Sequence, residues 1–204
     1  MNWAGADGMS PVAMVEPRAA SPHEGDDADL LRRIVGGDRT ALVALYQRHG
    51  GVVLAQIGLV VEDRGLSEEI LQDTMLAVWR GAASFRGRSR VRSWIIAIAR
   101  RQARDRLRRY RANVVDDGFL TDRPAQEPGP EDVALERAEA EAVANAIRSL
   151  GLAHREVLGL VFGAGLTLAE TAEVLDVPLG TVKSRLAAAR AALARSLSEK
   201  GYAR

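Results

Sequence analysis

The side chains best suited to chemistry lie near the C-terminus of the chain, at the start of an amphipathic helix. They are hydroxyl and basic groups, which hydrogen-bond to base edges and phosphates, namely Thr181, Lys183, Ser184, Arg185 and Arg190. At about 100° per residue, they lie outside the apolar face formed by Val182, Leu186, Ala189, Leu193 and Leu197. The pattern is typical of a helix that reads DNA, although a solvated basic face would produce it as well.

The residues before this helix predict a helix-turn-helix. Thr167 and Glu170 have the T-x-x-E spacing of a capping box, so a first helix begins there and ends at Asp176. Pro178 suits the first turn of the next helix, where its missing N–H is not needed. Two short helices joined by such a tight turn cross steeply, so the second helix projects from the domain. DNA-reading proteins place such a helix in the major groove.

A second basic element lies in the N-terminal half. Residues 86–111 contain 11 arginines and one aspartate, and a long helix is expected over residues 91–111. Its apolar stripe is Trp94, Ile95, Ile98, Ala99 and Leu107. The arginines fill the other faces and suit phosphates. The weaker alternatives are a solubility face, on which the charges would repel one another, and a helix on a membrane surface.

The elements that must position these groups are also predicted to be helices. The first begins near Asp26 or Asp29 and ends at Val35. Asp38 caps the second, in which Leu42, Leu45 and Tyr46 point inward and Gly50-Gly51 could introduce a bend. The third begins at Ser67 and turns one face inward, formed by Ile70, Leu71, Thr74, Met75, Val78 and Trp79.

Charge divides the chain more clearly than its overall net charge of +1 suggests. Residues 28–112 carry a net +9 and residues 142–204 a net +3, whereas residues 1–27 carry −4 and residues 113–141 carry −7. We therefore expect four segments. These are a disordered tail (1–27), a basic helical domain (28–112), a flexible acidic linker rich in Pro and Gly (113–139) and a helix-turn-helix domain (140–204).

Composition restricts the function classes. The chain has 204 residues and no cysteine, which excludes disulfides, thiolate metal sites and thiol redox chemistry. We expect no catalytic residues, metal or cofactor, because the three histidines are scattered and the acids lie mostly in the tail and linker. No segment predicts a membrane span or signal peptide, so we expect no membrane insertion and a cytoplasmic protein.

Three motifs in order make the chain resemble an extracytoplasmic-function (ECF) sigma factor, a minimal bacterial RNA polymerase sigma subunit. Residues 67–79 (SEEILQDTMLAVW) resemble the helix of the family that docks on core polymerase. Residues 92–109 resemble its promoter-melting segment, and residues 180–186 (GTVKSRL) resemble the opening of its recognition helix. The resemblance implies an all-α chain of two small domains, a sigma region 2 bundle and a sigma region 4 helix-turn-helix.

The resemblance also implies roles for individual residues. Glu69, Gln72 and Asp73 would dock on core RNA polymerase, through its β and β′ subunits. The −10 element of promoter DNA would be contacted by Phe85, Arg86, Arg88, Arg90, Arg92, Arg101, Arg104 and Arg108. The −35 element would be read by Thr181, Lys183, Ser184, Arg185 and Arg190. An anti-sigma factor would be a further partner, as for many members of the family.

The sequence departs from the family at three places. Arg101 replaces a frequent Asn, and Asp176 stands where the turn often has Gly, a position at which Asp tolerates a left-handed backbone. Ala187-Ala188 replaces bulky or basic residues, which leaves base readout mainly to Thr181, Lys183 and Ser184.

Two other classes of protein remain as alternatives. A response-regulator-type transcription factor ends in a similar helix-turn-helix, but residues 28–112 lack the strand–helix alternation of a receiver domain. A nucleic-acid-acting enzyme would need clustered carboxylates or a nucleophile motif, and the sequence contains neither.

Overall fold

The computed structural model describes residues 24–114 and 143–199, and every regular element in these ranges is helical. The N-terminal unit contains α1 (Glu24–Val35), α2 (Arg39–Gly58), α3 (Arg64–Gly81), a 3₁₀ turn (Ala82–Ser84) and α4 (Val91–Val114). The C-terminal unit contains α5 (residues 143–149), α6 (Leu152–Leu158), a π-helical turn (Gly159–Gly163), α7 (Leu168–Leu175) and α8 (Leu179–Glu199). The expected all-α class is therefore confirmed.

Local signals explain where most helices begin. Asp38 caps α2, as predicted, by accepting hydrogen bonds from the backbone N–H groups of Thr40 and Ala41. Hydrogen bonds from the Thr40 and Arg33 side chains hold the pKa of Asp38 well below its usual value. Asp63 caps α3 in the same way through Leu66 N–H, so α3 begins at Arg64 rather than at the predicted Ser67. The side chain of Ser67 is buried and donates to the carbonyls of Val61 and Asp63.

The predicted inward faces are largely buried. On α3, only Trp79 of the six expected residues is partly exposed, and on α4 the buried stripe also includes Ile96 and Ala103. Tyr46 was predicted to point inward but is 47% exposed. Its ring lies beside Gly50, where an added Cβ would meet ring carbons at 3.4–3.6 Å, so the ring covers the α2 backbone instead of entering the core. α2 continues without interruption through Gly50-Gly51 to Gly58.

The two units pack against each other. α4 contacts α7, and the π-helical turn contacts α2, so buried residues of both units belong to one hydrophobic cluster. Gly159 makes the approach close, because a Cβ there would lie 2.2 Å from Leu59 Cδ1. Gln56 Nε2 donates to Gly159 O at 3.1 Å across the same contact.

Candidate nucleic-acid interface

The arginines of α4 and of the preceding loop fall into two groups. α4 buries Ile95, Ile96, Ala99 and Ala103, which leaves its other faces to charged groups. Among the predicted −10 residues, Arg86, Arg88, Arg101 and Arg108 are exposed. The other three, Arg90, Arg92 and Arg104, contact the C-terminal unit, although Arg104 is exposed as well. Phe85 is partly buried against Trp94, with ring centroids 5.3 Å apart.

Glu156 of α6 is the centre of the contact between the units. Its side chain is 4% exposed, and its two oxygens accept from Arg100 Nε at 2.8 Å and from Arg104 Nη2 at 2.7 Å. Arg100 also donates to Val174 O at 3.2 Å. A buried carboxylate is tolerated when charged, well-oriented donors surround it. The sequence analysis missed this site, because no local motif connects Glu156 to arginines more than 50 residues away.

Glu170 forms a second contact between the units. Its Oε2 accepts from the N–H and hydroxyl of Thr167, so the capping box is confirmed. Its Oε1 lies 3.2 Å from both Arg90 Nε and Ser93 Oγ of the N-terminal unit. Nearby, Arg92 donates to Ala164 O at 3.2 Å. One carboxylate therefore both caps α7 and holds the loop and helix that carry the candidate −10 residues.

The helix-turn-helix has the predicted geometry. Asp176 adopts the left-handed conformation between α7 and α8, with φ 55° and ψ 53°. Val182, Leu186 and Ala189 are buried, which turns the opposite side of α8 outward. Lys183, Ser184 and Arg190 are exposed and Thr181 and Arg185 half-buried, so the five candidate −35 residues surround an accessible surface. The guanidinium of Arg190 lies over the ring of Phe162, 5.1 Å from its centroid.

The candidate docking residues lie along the outer side of α3. Glu69 and Gln72 are exposed, whereas the carboxylate of Asp73 accepts from Arg106 Nη2 at 2.9 Å. Glu69 lies 3.7 Å from the same arginine. Leu76, which the sequence analysis did not single out, is 49% exposed on this side. The surface therefore combines two paired carboxylates, an exposed amide and an apolar side chain.

A buried polar cluster joins α1 to α2. Asp27 accepts from His49 Nε2 at 2.7 Å and also pairs with Arg48. Burial alone would raise the pKa of Asp27, but the hydrogen bonds from His49 and Arg48 outweigh it and hold the pKa below its usual value. The cluster was not predicted, because Asp27 and His49 are 22 residues apart.

Within residues 24–114 and 143–199, no group of three or more His, Asp or Glu side chains could hold a metal ion. In the same ranges, no helix is long and apolar enough to cross a membrane.

An arginine-rich bundle packed on a helix-turn-helix defines a two-unit, DNA-binding class of protein. Residues 45–113 match the family Sigma-70 region 2, and residues 146–195 match Sigma-70, region 4. The chain belongs to the ECF sigma factors of the sigma-70 family.

Individual relatives agree with this assignment. The chain is 38% identical to the ECF RNA polymerase sigma factor SigM of Mycobacterium tuberculosis, over 86% of each chain. It is 35% identical to the ECF RNA polymerase sigma factor SigK of Mycolicibacterium vanbaalenii, over 77% of this chain and 82% of the relative.

Two solved structures have a similar fold. CnrH in complex with the cytosolic domain of CnrY has a TM-score of 0.63, with 24% identity over 85% of this chain and 97% of that chain. RpoE of Bartonella quintana in complex with the anti-sigma factor NepR has a TM-score of 0.62, with 24% identity over 76% and 97%.

Proposed function

We propose that this sigma factor directs core RNA polymerase to its promoters by means of two separate DNA-contacting surfaces, one on each helical unit. It supplies recognition and promotes opening of the −10 region, while the polymerase supplies the chemistry, so the chain itself is not an enzyme. The observation that carries the proposal is the joint presence of the arginine-rich α4 and the exposed face of α8 in one chain. We expect it to act in the cytoplasm, alongside the polymerase.

The −10 surface would be formed by the loop before α4 and by α4 itself. Its basic groups suit the backbone of a melted strand, and the neighbouring Phe85–Trp94 pair could stack against an extruded base. Arg86, Arg88, Arg101 and Arg108 are exposed for this role.

The −35 surface would be the exposed side of α8. Thr181, Lys183 and Ser184 are close to the helix start, where side chains reach base edges in a major groove. Arg185 and Arg190 would contact phosphates, which fix orientation rather than sequence.

Core polymerase would dock on the outer side of α3, through Glu69, Gln72 and Asp73. The apolar side chain of Leu76, exposed between them and Arg80, adds to this surface. An exposed leucine among polar groups is suited to burial at a protein interface.

The contact between the units restricts the −10 surface. Arg90 and Arg92 are half-buried against the C-terminal unit, and Arg104 gives one nitrogen to Glu156, so the units would have to separate to free all three arginines for −10 contact. We further propose that an anti-sigma factor can bind the chain, as the anti-sigma factor NepR binds RpoE of Bartonella quintana.

The test is transcription with purified components. Core polymerase alone should start RNA synthesis at no defined site on genomic DNA, whereas core polymerase with this chain should start at a defined set of promoters. Mapping those starts would also provide the −10 and −35 sequences. A chain that co-purifies with core polymerase but never changes the start sites would contradict the proposal.

A further inference from the structure

Phe162 is a large apolar side chain on the surface of the C-terminal unit, where it is 49% exposed. It belongs to the π-helical turn Gly159–Gly163, which connects α6 to α7. None of the sequence motifs includes it. Its one aromatic or cationic contact among the described residues is with Arg190 of α8, whose guanidinium carbon lies 5.1 Å from the ring centroid.

The backbone around Phe162 is held in place. Ala164 N–H donates to Gly159 O at 2.8 Å and Leu166 N–H donates to Leu160 O at 3.0 Å. Leu160, Ala164 and Leu166 are all buried, so they anchor the turn from inside. π-helical turns of this kind are frequently found at functional sites. The ring is thus presented to Arg190 from a fixed support.

An aromatic ring holds an arginine differently from a carboxylate. Over a ring, the guanidinium uses its flat face, and its N–H donors point outward in the plane. Within the part of the chain that the structure describes, no carboxylate is within ion-pair distance of Arg190. Its charge is therefore oriented by Phe162 without being neutralised, and its donors remain available for an oxyanion.

The position of Arg190 indicates which oxyanion this is. Arg190 follows Lys183 by seven residues, so the two cations lie two turns apart, on one side of α8 and about 10 Å apart along the axis. Ala187 lies between them, and its short side chain leaves a shallow depression in the helix surface at that point. A DNA backbone following this side of the helix could meet Lys183 near the bases and Arg190 at a phosphate.

We propose that Phe162 is a positioning residue for −35 recognition, which orients the Arg190 guanidinium toward a phosphate of the DNA backbone. The proposal rests on the proposed function of α8. It adds to the DNA-binding surface a residue that lies outside the helix-turn-helix, on the turn that precedes it.

The experiment measures the affinity of reconstituted holoenzyme for a promoter duplex obtained from the mapped start sites. Phe162→Leu keeps an apolar side chain but removes the ring, and we expect affinity to fall about two- to five-fold, the range for an exposed cation–π contact. Phe162→Trp should keep the affinity of the unaltered chain, because tryptophan offers the best face to a cation. Arg190→Ala should reduce the magnitude of the salt-dependence slope by about one phosphate contact.

The double variant separates positioning from a structural role. If Phe162 acts through Arg190, adding Phe162→Leu to Arg190→Ala should cause no further loss of affinity. Tyr46→Leu is the matched control, since it removes a comparably exposed ring from the N-terminal unit, and it should leave the affinity unchanged. Equal losses from Phe162→Leu with and without Arg190 would overturn the proposal.

Two further outcomes distinguish this proposal from the proposed function. If Lys183→Ala weakens binding but Arg190→Ala does not, Arg190 is not a phosphate contact and the positioning role is wrong, while −35 recognition stands. If the chain directs no promoter-specific transcription at all, the proposed function itself fails.

Discussion

Lys183 illustrates how a single side chain can be tested without disturbing the rest of the fold. Its side chain is exposed, lies in the second turn of α8 and makes no hydrogen bond or ion pair with another residue of the described ranges. We expect Lys183→Ala to weaken −35 binding by about 1–3 kcal/mol, the value of a good base contact. Competition for core polymerase should not change, and both can be measured with fluorescently labelled promoter DNA and labelled core enzyme.

Arg195→Ala is the control for this prediction. Arg195 is also exposed on α8, three turns further along, and away from the base-reading end. Equal losses for Lys183→Ala and Arg195→Ala would mean that Lys183 contributes only general charge. An unchanged −35 preference in a binding-site selection would remove Lys183 from the reading surface.

Gln72 is a sharper probe of polymerase docking than Asp73. Reversing Asp73 would place a cation beside Arg106, its present partner, and would disturb the α3–α4 contact as well as any docking. Gln72→Arg, alone or with Leu76→Asp, should instead weaken competition for core polymerase by about 1 kcal/mol or more. Glu62→Arg, a charge change just before α3, should have no effect. A folded double variant that competes as well as the unaltered chain would contradict docking on this side.

At the scale of elements, α1 is attached to the bundle partly by a buried ion pair. Asp27, His49 and Arg48 connect it to α2, beside apolar contacts of Leu30, Leu31 and Ile34. Because the pKa of Asp27 is lower in the folded chain than its usual value of about 3.8, its charge stabilises the fold above that pH. This contribution is lost as the pH falls through the folded-state pKa.

The prediction from this pair is a change in the pH dependence of stability. Asp27→Asn keeps the shape but removes the charge, so the free energy of unfolding at pH 7 should fall by about 1–3 kcal/mol. As the pH falls below 3.8 toward the folded-state pKa of Asp27, the difference between the variant and the unaltered chain should shrink. Chemical denaturation at several pH values would measure it. A difference that stays constant as the pH falls well below 3.8 would show that it does not come from the charge of Asp27.

Helices and their buried faces could largely be predicted from periodicity and capping residues, as at Asp38 and Thr167. Contacts between helices could not, because they depend on residues far apart in sequence. Nothing near Glu156 indicates that two arginines of α4 surround it. Tyr46 shows a second limit, since a periodic pattern places its Cβ toward the core but does not say that a neighbouring glycine lets the ring lie along the helix. The role of Phe162 could not be predicted for the same reason as that of Glu156, because its partner lies far from it in the sequence.

At the scale of the whole molecule, the arrangement depends on how closely two surfaces approach at Gly159. Gly159→Ala would place a methyl group 2.2 Å from Leu59 Cδ1, so the side chain or the whole unit must move. Because Leu59 Cδ1 is the end of a half-buried side chain that can turn away, we expect docking of the units to weaken by about 1 kcal/mol, the lower end of the usual effect of overpacking. Contact with single-stranded −10 DNA should strengthen accordingly, because Arg90, Arg92 and Arg104 are released more often.

Fluorescence energy transfer can follow this opening, because the chain has no cysteine and labels can be attached at cysteines introduced at exposed positions 62 and 195. Gly163→Ala is the matched control from the same turn, since a Cβ there meets only Gln56 Nε2 at an ordinary 3.4 Å. If both variants have the same distance distribution as the unaltered chain, the contact at Gly159 does not set the docking of the units.

Limited proteolysis tests the expected division into domains. From the Pro- and Gly-rich composition of residues 124–130, we expect the first cuts between residues 113 and 132. The two fragments should remain associated at low ionic strength through the arginine–carboxylate contacts and separate as salt is added. Resistance to cleavage throughout this stretch would contradict a linker there, and fragments that never associate would contradict the contact between the units.

The long separation between Arg100 or Arg104 and Glu156 has a consequence during synthesis on the ribosome. Glu156 follows Val114, the last residue of α4, by 42 residues, which corresponds to about 2–8 s of translation. During that interval α4 can form, but its later carboxylate partner has not yet been made. A nascent chain in this state presents unpaired guanidinium groups next to ribosomal RNA, which is itself a polyanion. Completion of α6 and α7 would then compete with the RNA for the same arginines.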